Sequence, residues 1–508
     1  MTPFEEFSSY IGEINDIFCA ISLLNWDANT NMPSGGAKVR GQQMATLVKL
    51  AQERFTSNKM GTLLARAETA VSHESPRSYN ARAVTSTRHA YDVARRIPAT
   101  LLGEHVANRS LAEQAWQEAK ANDDFGRFAP YLERYVALNR EITAVIGYDD
   151  HPYDAMLLRY EPGMTVARLQ PLFAELKAGL LPLLDQVVNS GVKMPVEILH
   201  GDFPVGQQKA FCYQIAQAFG YDMTRGHFGE APHPFEISFT RQDVRITNRY
   251  QPSFLAGGLF GMLHEAGHAL YEQGVDPQLT RTALATDFLS QYAVGGVTFG
   301  AHESQSRLWE NQIGRSEPFW QRHFSELQTY FPQQLANVDA HTFYRAVNHV
   351  EPSYIRVEAD ELTYNLHIML RLELEMGLLD GSITVNELPQ IWREKMESYL
   401  GVVPPTDTLG VLQDIHWAFG QMGTFPAYTI GNVMSAQFFQ AAHAAMPDLA
   451  DQLADGNYRP LRLWLTENIY RHGRAYSPDE LLEAATATTL QTKPYLDYLQ
   501  AKFSDLYL

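Results

Sequence analysis

Residues 258–271 have the sequence GLFGMLHEAGHALY, and this stretch determines how the rest of the chain is interpreted. Its apolar residues fit a buried helix. On a helix, residues four apart stack on one face, so His264 and His268 direct both imidazoles to one point. Glu265 is rotated by about 100° from His264 and can reach a water molecule held there by a metal ion. The pattern therefore predicts two metal ligands and a general base. The alternative is an amphipathic helix whose two histidines pack in the core.

A catalytic metal ion normally has three protein ligands, so a third ligand must come from elsewhere in the chain. The best candidate is Glu303, which lies 35 residues beyond His268 and begins another helical pattern, HESQSRLWEN at 302–311. A second helix that crosses the first would bring Glu303 to the histidines. His302 is the rival ligand. The alternative role for Glu303 is a solvated ion pair with Arg307, four residues further on.

Helical periodicity continues on both sides of this stretch. From residue 4 to 184 it alternates with turn signals such as MPSGG and EPG. Long amphipathic segments dominate the later part of the chain, at 257–273, 302–313, 358–376 and 479–486.

Between residues 231 and 250 the period changes from that of a helix to that of a strand. Apolar residues alternate over 235–239, a turn follows at 240–243, and alternation resumes over 244–247. This segment is the most convincing hairpin in the chain.

We therefore predict a mainly α fold with a small β-sheet beside a long substrate cleft. Because no linker, repeat or low-complexity segment marks a boundary, residues 1–508 are interpreted as a single domain. The helices of residues 1–185 are expected to form a layer that covers the cleft. Residues 186–508 are expected to form the catalytic part.

Composition limits the partners and the compartment. The chain has 40 Lys plus Arg against 58 Asp plus Glu, a formal net charge of −18 over 508 residues. Such a charge repels phosphate backbones and anionic lipids, so we expect no nucleic-acid or membrane partner. Cys19 and Cys212 are too few for a disulfide framework or a thiolate cluster, and any metal must be held by His and carboxylate. An acidic N-terminus, and no apolar stretch near the ~20 residues of a membrane span, favour a cytoplasmic protein.

Further motifs extend the pattern beyond the first helix. They are, in order, HPF at 233–235, DVRIT at 243–247, HESQ at 302–305, IRVEAD at 355–360 and GVLQDIHW at 410–417. Together with HEAGH at 264–268, these motifs resemble those of the carboxypeptidase Taq family of zinc metallocarboxypeptidases. The N-terminal WD at 26–27 and MPSGG at 32–36 are similar too, so the resemblance covers nearly the whole chain. One departure is the connector of residues 274–300, which is longer than the family pattern leads us to expect, with 281–287 resembling an insertion.

The resemblance implies a zincin-like helical metallopeptidase that removes single residues from peptide C-termini. It implies one zinc ion per chain on His264, His268 and Glu303, a homodimer, and broad specificity with poor removal of proline. Cobalt is also acceptable to a His/His/Glu site. The chemistry of the residues agrees, because a metal ion polarises the scissile carbonyl and acidifies its bound water, while Glu265 takes the proton and delivers it to the leaving amine.

Other residues must support this reaction. The oxyanion that forms needs a second donor besides the metal. Tyr428 is the favoured donor and His416 the alternative, although either could instead be a buried structural residue. Asp360 and Glu361 are candidates to accept a hydrogen bond from a metal-bound imidazole and so orient it.

An exopeptidase must also bind the free terminal carboxylate, which guanidinium groups bind in a bidentate manner. Strand alternation puts Arg245 and Arg249 on one face of the second hairpin strand. Arg356 is a further candidate, and the family comparison favours it. The structural alternatives are ion pairs, of Arg245 with Asp243 and of Arg356 with Asp360.

Two other functions are compatible with the same residues. A zincin-type endo-oligopeptidase shares the same helix and general base but cleaves internally and tolerates a blocked C-terminus. A noncatalytic peptide-binding protein is the second alternative, and the presence of Glu265 beside both histidines argues against it.

Overall fold

Helices make up most of the structure, as the sequence predicts. The computed structural model describes residues 1–508, apart from the side chain of Ser110. In chain order the α-helices are α1 Pro3–Thr30, α2 Ala37–Phe55, α3 Asn58–Val71, α4 Tyr79–Arg96, α5 Ala99–Asn122, α6 Phe125–Ile146, α7 Tyr153–Leu157, α8 Val166–Asn189, α9 Val205–Phe219, α10 Leu255–Gly274, α11 Phe299–Arg307, α12 Glu317–Tyr330, α13 Ala340–Val347, α14 Tyr364–Asp380, α15 Leu388–Leu400, α16 Phe425–Ala445, α17 Leu449–Ala454, α18 Arg459–Asn468, α19 Pro478–Thr486 and α20 Lys493–Tyr507. Among the described residues, no helix combines the length and apolar character needed to cross a membrane.

The chain forms two compact units, each assembled from three separate stretches. Unit 1 comprises Met1–Ala94, Met194–Val347 and Met434–Leu490. Unit 2 comprises Arg95–Lys193, Asn348–Val433 and Gln491–Leu508. The assignment of residues 1–508 to one domain, with a covering layer up to residue 185, stays a prediction.

A small sheet in unit 1 confirms the predicted hairpin and adds a strand to it. The strands are β1 Gly226–Glu230, β2 Glu236–Thr240 and β3 Asp243–Asn248, in the order β1-β3-β2. Strands β2 and β3 pair antiparallel, whereas β1 pairs parallel to β3. Strand β1 was not predicted because its residues, GHFGE, show no apolar alternation.

Alternation along the hairpin sorts its residues between two faces. Val244 and Ile246 of β3 are fully buried, and β3 packs against α10. Ile237 and Phe239 of β2 pack instead around Trp26 of α1. The hairpin is thus fixed to the helix that carries the two histidines as well as to the N-terminal helix.

Helices α10 and α11 approach each other closely at Gly267. A Cβ atom at this position would lie 2.5 Å from the carbonyl oxygen of Gln305 and 2.6 Å from Cα of Ser306. Any side chain would therefore force the two helices apart, because backbone atoms cannot move aside locally. Beyond α11 the chain continues as a π-helix, Leu308–Ile313, a form that is often found at functional sites.

The helix predicted to begin at residue 358 begins later, at Tyr364. The reason is Asp360, whose Oδ1 accepts hydrogen bonds from the backbone N–H groups of Leu362 (2.9 Å) and Thr363 (3.0 Å). These bonds stabilise a turn in place of the first helical turn. The prediction was wrong at this boundary because helical spacing does not reveal side-chain bonds to the backbone.

The connector of residues 274–300 is fixed to α1 at several points. Arg281 has a positive φ of 62° and forms a bidentate ion pair with Asp16, with distances of 2.8 and 2.7 Å. The Asn15 side chain donates hydrogen bonds to the carbonyl of Ala285 and to Oγ1 of Thr286. The segment that departs from the family pattern is therefore an ordered part of unit 1.

The contact at Gly267 can be tested by substitution. Gly267→Ala is expected to lower the free energy of unfolding of the metal-free protein by about 1–3 kcal/mol, because the methyl group overlaps the α11 backbone. Gly41→Ala, on α2 where the added atom meets open space, should instead raise it by up to about 1 kcal/mol through helix propensity. Urea unfolding followed by circular dichroism measures both changes. Equal stability of Gly267→Ala and wild type would contradict the close crossing.

Candidate metal centre

Three predicted ligands meet in unit 1. Oε2 of Glu303 lies 3.6 Å from Nε2 of His264 and 3.3 Å from Nε2 of His268, and the three atoms all lie within 4.8 Å of one another. Ligand atoms bonded at ~2.0–2.2 Å to a tetrahedral metal ion are about 3.3–3.6 Å apart. The two imidazole nitrogens and the carboxylate oxygen therefore fit a catalytic metal ion in both chemistry and spacing.

Glu303 combines the two roles that the sequence left open. While Oε2 faces the histidines, Oε1 accepts a hydrogen bond from Nε of Arg307 at 2.8 Å. The ion pair is not solvated as expected, because the Glu303 side chain is only 3% exposed. Burial alone would raise the pKa of Glu303, but the charges of Arg307 and His264 lower it below its usual value. Glu303 is thus held as a carboxylate.

His264 is oriented by a carboxylate that the sequence analysis missed. Its Nδ1 lies 2.9 Å from Oε2 of Glu310, so Nδ1–H donates and the lone pair of Nε2 faces Glu303. Burial alone would raise the pKa of Glu310, but Arg307 and the bond to His264 lower it to about 2. Arg315 holds its other oxygen at 3.3 Å. The sequence spacing could have identified Glu310, because it follows Glu303 by seven residues, about two helical turns, and so lies on the same helical face.

Asp360 and Glu361 do not take this orienting role. Asp360 accepts hydrogen bonds from its own turn, including the hydroxyl of Thr363 at 2.7 Å. Glu361 forms a buried ion pair with Lys502 at 2.6 Å. Both are structural residues of unit 2, and the prediction was wrong because sequence spacing does not show which carboxylate reaches an imidazole.

His302 lies behind His268 rather than among the ligand atoms. The two Nδ1 atoms are 2.6 Å apart, on the side of His268 that faces away from Glu303. Nε2 of His302 lies 3.0 Å from Oε1 of Glu272, a buried residue of α10. The structure therefore brings Glu303 to the two histidines and places its rival, His302, one layer further out.

Glu265 is buried next to these ligands, with 6% of its surface exposed. Burial raises the pKa of Glu265 to about 8, and the charges of Glu236 and Glu303 add to the effect of burial while His264 opposes it. A divalent cation held by the histidines would lower this pKa, because it favours the charged carboxylate. The position suits a group that accepts and releases a proton.

A second cluster of predicted residues lies in unit 2 around Asp414. Arg356 donates from Nε and Nη2 to Oδ1 of Asp414, at 3.0 and 2.8 Å. Arg371 donates to Oδ2 at 2.6 Å. Arg356 therefore forms an ion pair, which was the alternative to substrate binding, but its partner is Asp414 and not Asp360. Burial alone would raise the pKa of Asp414, but the two guanidinium groups hold it well below its usual value.

The two candidate oxyanion donors are adjacent in this cluster. Nε2 of His416 lies 3.3 Å from the hydroxyl oxygen of Tyr428, and Nδ1 lies 3.9 Å from Oδ1 of Asp414. Burial lowers the pKa of His416 to about 4, so the imidazole is neutral at pH 7. The guanidinium carbon of Arg356 lies 5.3 Å from the centre of the Tyr428 ring.

The two hairpin arginines, Arg245 and Arg249, do not share one face of a strand as expected. Arg245 donates from Nε and Nη2 to the two carboxylate oxygens of Asp243, both at 2.8 Å, which is its structural alternative. Its guanidinium also lies 4.7 Å from the ring centre of Phe239. Strand β3 ends at Asn248, so Arg249 lies beyond it and is exposed. The strand alternation that put both arginines on one face stops one residue too early.

Comparisons with known proteins agree with this geometry. Residues 6–503 match the family described as carboxypeptidase Taq (M32) metallopeptidase. The chain is 42% identical to thermostable carboxypeptidase 1 of Thermus thermophilus, over 100% of this chain and 98% of that one. It is 38% identical to carboxypeptidase 1 of Bacillus subtilis, over 99% and 98%. A crystal structure of the M32 carboxypeptidase from Deinococcus radiodurans superposes with a TM-score of 0.94 at 41% identity, covering 99% of each chain.

Removal and return of a metal ion tests the three ligands. Added zinc is expected to stabilise the chelator-treated protein, by about 2.7 kcal/mol at a free concentration one hundred times the Kd. Glu303→Gln should abolish this stabilisation, because it removes the charged ligand. Glu326→Gln, which changes a carboxylate bonded to His323 on α12, should retain it. Thermal unfolding with and without zinc measures the effect, and equal responses of Glu303→Gln and wild type would exclude this triad.

Proposed function

Because the chain belongs to the carboxypeptidase Taq (M32) family of metallopeptidases, we propose that it is a zinc-dependent enzyme that releases single amino acids from the C-termini of peptides. That it is a metallocarboxypeptidase, a peptide hydrolase, follows from the family itself. The metal, the residue roles and the substrate range are our proposal. The observation that carries it is the spacing of the three ligand atoms on His264, His268 and Glu303.

Zinc is the proposed metal because it suits this donor set. Two neutral imidazoles and one carboxylate, with room for a fourth ligand, are typical of catalytic zinc sites, and cobalt accepts the same set. When bound, zinc supplies Lewis acidity, which polarises a carbonyl group and makes a water molecule more acidic.

Glu265 is the proposed general base. Its carboxylate takes a proton from the attacking water and then gives that proton to the nitrogen of the leaving amino acid, so the carboxylate is regenerated. Two opposing effects support this role, since burial raises the pKa of Glu265 and a bound divalent cation would lower it, which leaves both protonation states accessible near neutral pH.

Tyr428 is the proposed donor to the oxyanion that develops on the scissile carbonyl, with His416 as the alternative. His416 is neutral, so between its Nε2 and the Tyr428 hydroxyl one group donates and the other accepts. A tyrosine hydroxyl that donates to the oxyanion can accept from His416 at the same time. This arrangement favours Tyr428 as the group that contacts substrate and His416 as its support.

Arg356 is the proposed partner of the terminal carboxylate. Two guanidinium groups share the single carboxylate of Asp414, and His416 is neutral, so these four groups carry one net positive charge. A buried positive charge is stabilised by an anion. Arg245 is already neutralised by Asp243, and Arg249 is exposed to solvent, where an ion pair contributes little.

The remaining proposals concern substrates, assembly and compartment. We propose broad specificity with poor removal of C-terminal proline, a homodimer in solution, and a cytoplasmic location, as the family resemblance implies. Peptides with a free C-terminus are the proposed substrates, without nucleic-acid or membrane partners.

The activity and its base are tested together with one short peptide, free or amidated at its C-terminus. Wild type loaded with zinc is expected to release single C-terminal residues from the free peptide only. Glu265→Gln, at equal zinc content, should lower kcat by about 10²–10⁴-fold, because the water loses its proton acceptor. Mass spectrometry over a time course follows the products.

Each other outcome points to a different conclusion. Internal cleavage of both peptides would favour an endo-oligopeptidase. Inactivity of the zinc-loaded wild type would favour a binding protein. Glu326→Gln serves as the control for a lost carboxylate outside the centre, and its rate should match that of wild type.

Carboxylate recognition is tested with Arg356→Lys, which keeps the charge but loses the planar, bidentate donor set. We expect kcat/KM for the free peptide to fall by about 30–1,000-fold, the equivalent of about 2–4 kcal/mol for a buried charge pair. The matched control is Arg245→Lys, which should change kcat/KM by less than about threefold if its role is structural. Steady-state kinetics of both variants decide between the two arginines, and the reverse order would assign the role to Arg245.

A further inference from the structure

We propose that His302 and Glu272 are positioning residues for His268, joined in a buried hydrogen-bond relay that fixes its ring and ties it to the connector of residues 274–300. The inference rests on the proposed metal site and adds residues that act through one of its ligands. All members of the relay lie in unit 1.

The direction of the relay follows from its hydrogen bonds. Nε2 of His268 faces Glu303, so as a ligand atom it carries no proton, and the proton of the neutral ring is on Nδ1. That Nδ1–H donates to Nδ1 of His302, 2.6 Å away. His302 must then carry its own proton on Nε2, which lies 3.0 Å from Oε1 of Glu272. One arrangement of protons satisfies every member, and it leaves the Nε2 lone pair of His268 free for the metal.

Glu272 ends the relay as a fully engaged carboxylate. It has no exposed surface, and it pairs with the guanidinium of Arg241, which is also buried. Its oxygens accept hydrogen bonds from the backbone N–H groups of Gly295, at 3.1 and 3.0 Å, and of Gly296, at 3.0 Å. A carboxyl group held by this many donors is fixed in position. Glu272 follows His268 by four residues on α10, so the same helical face supplies the ligand and the end of its relay.

The two glycines make the connector part of this arrangement. A Cβ atom at Gly296 would lie 2.5 Å from Cδ2 of His302, and one at Gly295 would lie 2.8 Å from Nη1 of Arg241. The backbone can donate to Glu272 only because neither residue has a side chain. The longer connector therefore contains, a few residues before its end, two glycines that hold Glu272 in place.

The relay gives the two histidines different support. The His264 ring donates directly to a carboxylate, Glu310, whereas His268 donates to a neutral imidazole. Losing the support of a metal-bound histidine typically costs 10–100-fold in metal affinity. Removing the relay should thus weaken metal binding even though no ligand changes.

The experiment measures the zinc affinity of the metal-free protein by competition with a chelating indicator. His302→Leu, which cannot accept the proton of His268, is expected to bind zinc about 10–100-fold more weakly than wild type. His302→Gln carries an acceptor and a donor and should bind within about threefold of wild type. Asp16→Asn is the matched control, because it weakens the ion pair with Arg281 of the connector without touching the relay, and its affinity should be unchanged.

Each outcome supports or overturns the relay. Wild-type affinity in a folded His302→Leu, or equal losses in His302→Leu and Asp16→Asn, would overturn it while leaving the metal site intact. Failure of wild type to bind zinc would instead overturn the proposed function. If His302→Leu does not fold, ¹⁵N spectra of histidine-labelled, zinc-loaded wild type decide. A proton on Nδ1 of His268 and on Nε2 of His302 is expected, and the opposite tautomer of His302 would contradict the relay.

Discussion

The backbones of α10 and α11 meet at Gly267, with no space for a side chain between them. This contact sets the distance from the histidines on α10 to Glu303 on α11, and Oε2 of Glu303 lies 3.6 Å from Nε2 of His264 and 3.3 Å from Nε2 of His268 as a result. The continuation of α11 as a π-helix then brings Glu310 to the far side of His264. One close approach of two helices thus places Glu303, the proposed third ligand, and Glu310, which orients His264. The rest of the centre is arranged around that approach.

Burial makes each charged group at the centre depend on its partner. Glu303, Glu272 and Glu310 have little or no exposed surface, and each is paired with an arginine, namely Arg307, Arg241 and Arg315. Breaking such a pair leaves an uncompensated buried charge, which is strongly destabilising. The arginines therefore offset the charges of three carboxylates around the imidazoles of His264, His268 and His302. Glu265 is the exception, since its pKa is raised to about 8, and the proposed reaction needs such a group to gain and lose a proton.

The sequence predicts those features that depend on local spacing. Four-residue spacing identifies His264 and His268, and alternation identifies the β2–β3 hairpin. Partners that are distant in the sequence are harder to predict. The carboxylate that binds Arg356 is Asp414, 58 residues away, and not the nearby Asp360. Glu310 and Glu272 were missed although both share a helical face with a predicted ligand. Spacing shows that two residues share a face, but not which neighbouring element packs against it.

Electrostatics also explains why a carboxypeptidase of this composition needs a buried cation. With a net charge of −18, the chain as a whole repels the anionic C-terminus of a peptide. At physiological ionic strength this repulsion is screened within about 8 Å, so recognition must come from groups in direct contact with the carboxylate. Arg356 and Arg371 share one Asp414 in a buried environment, where solvent screens their charges weakly. The excess positive charge there can attract a carboxylate at short range while the surface of the protein stays acidic. In the proposed function, discrimination between a free and a blocked C-terminus then depends on this one imbalance of charge.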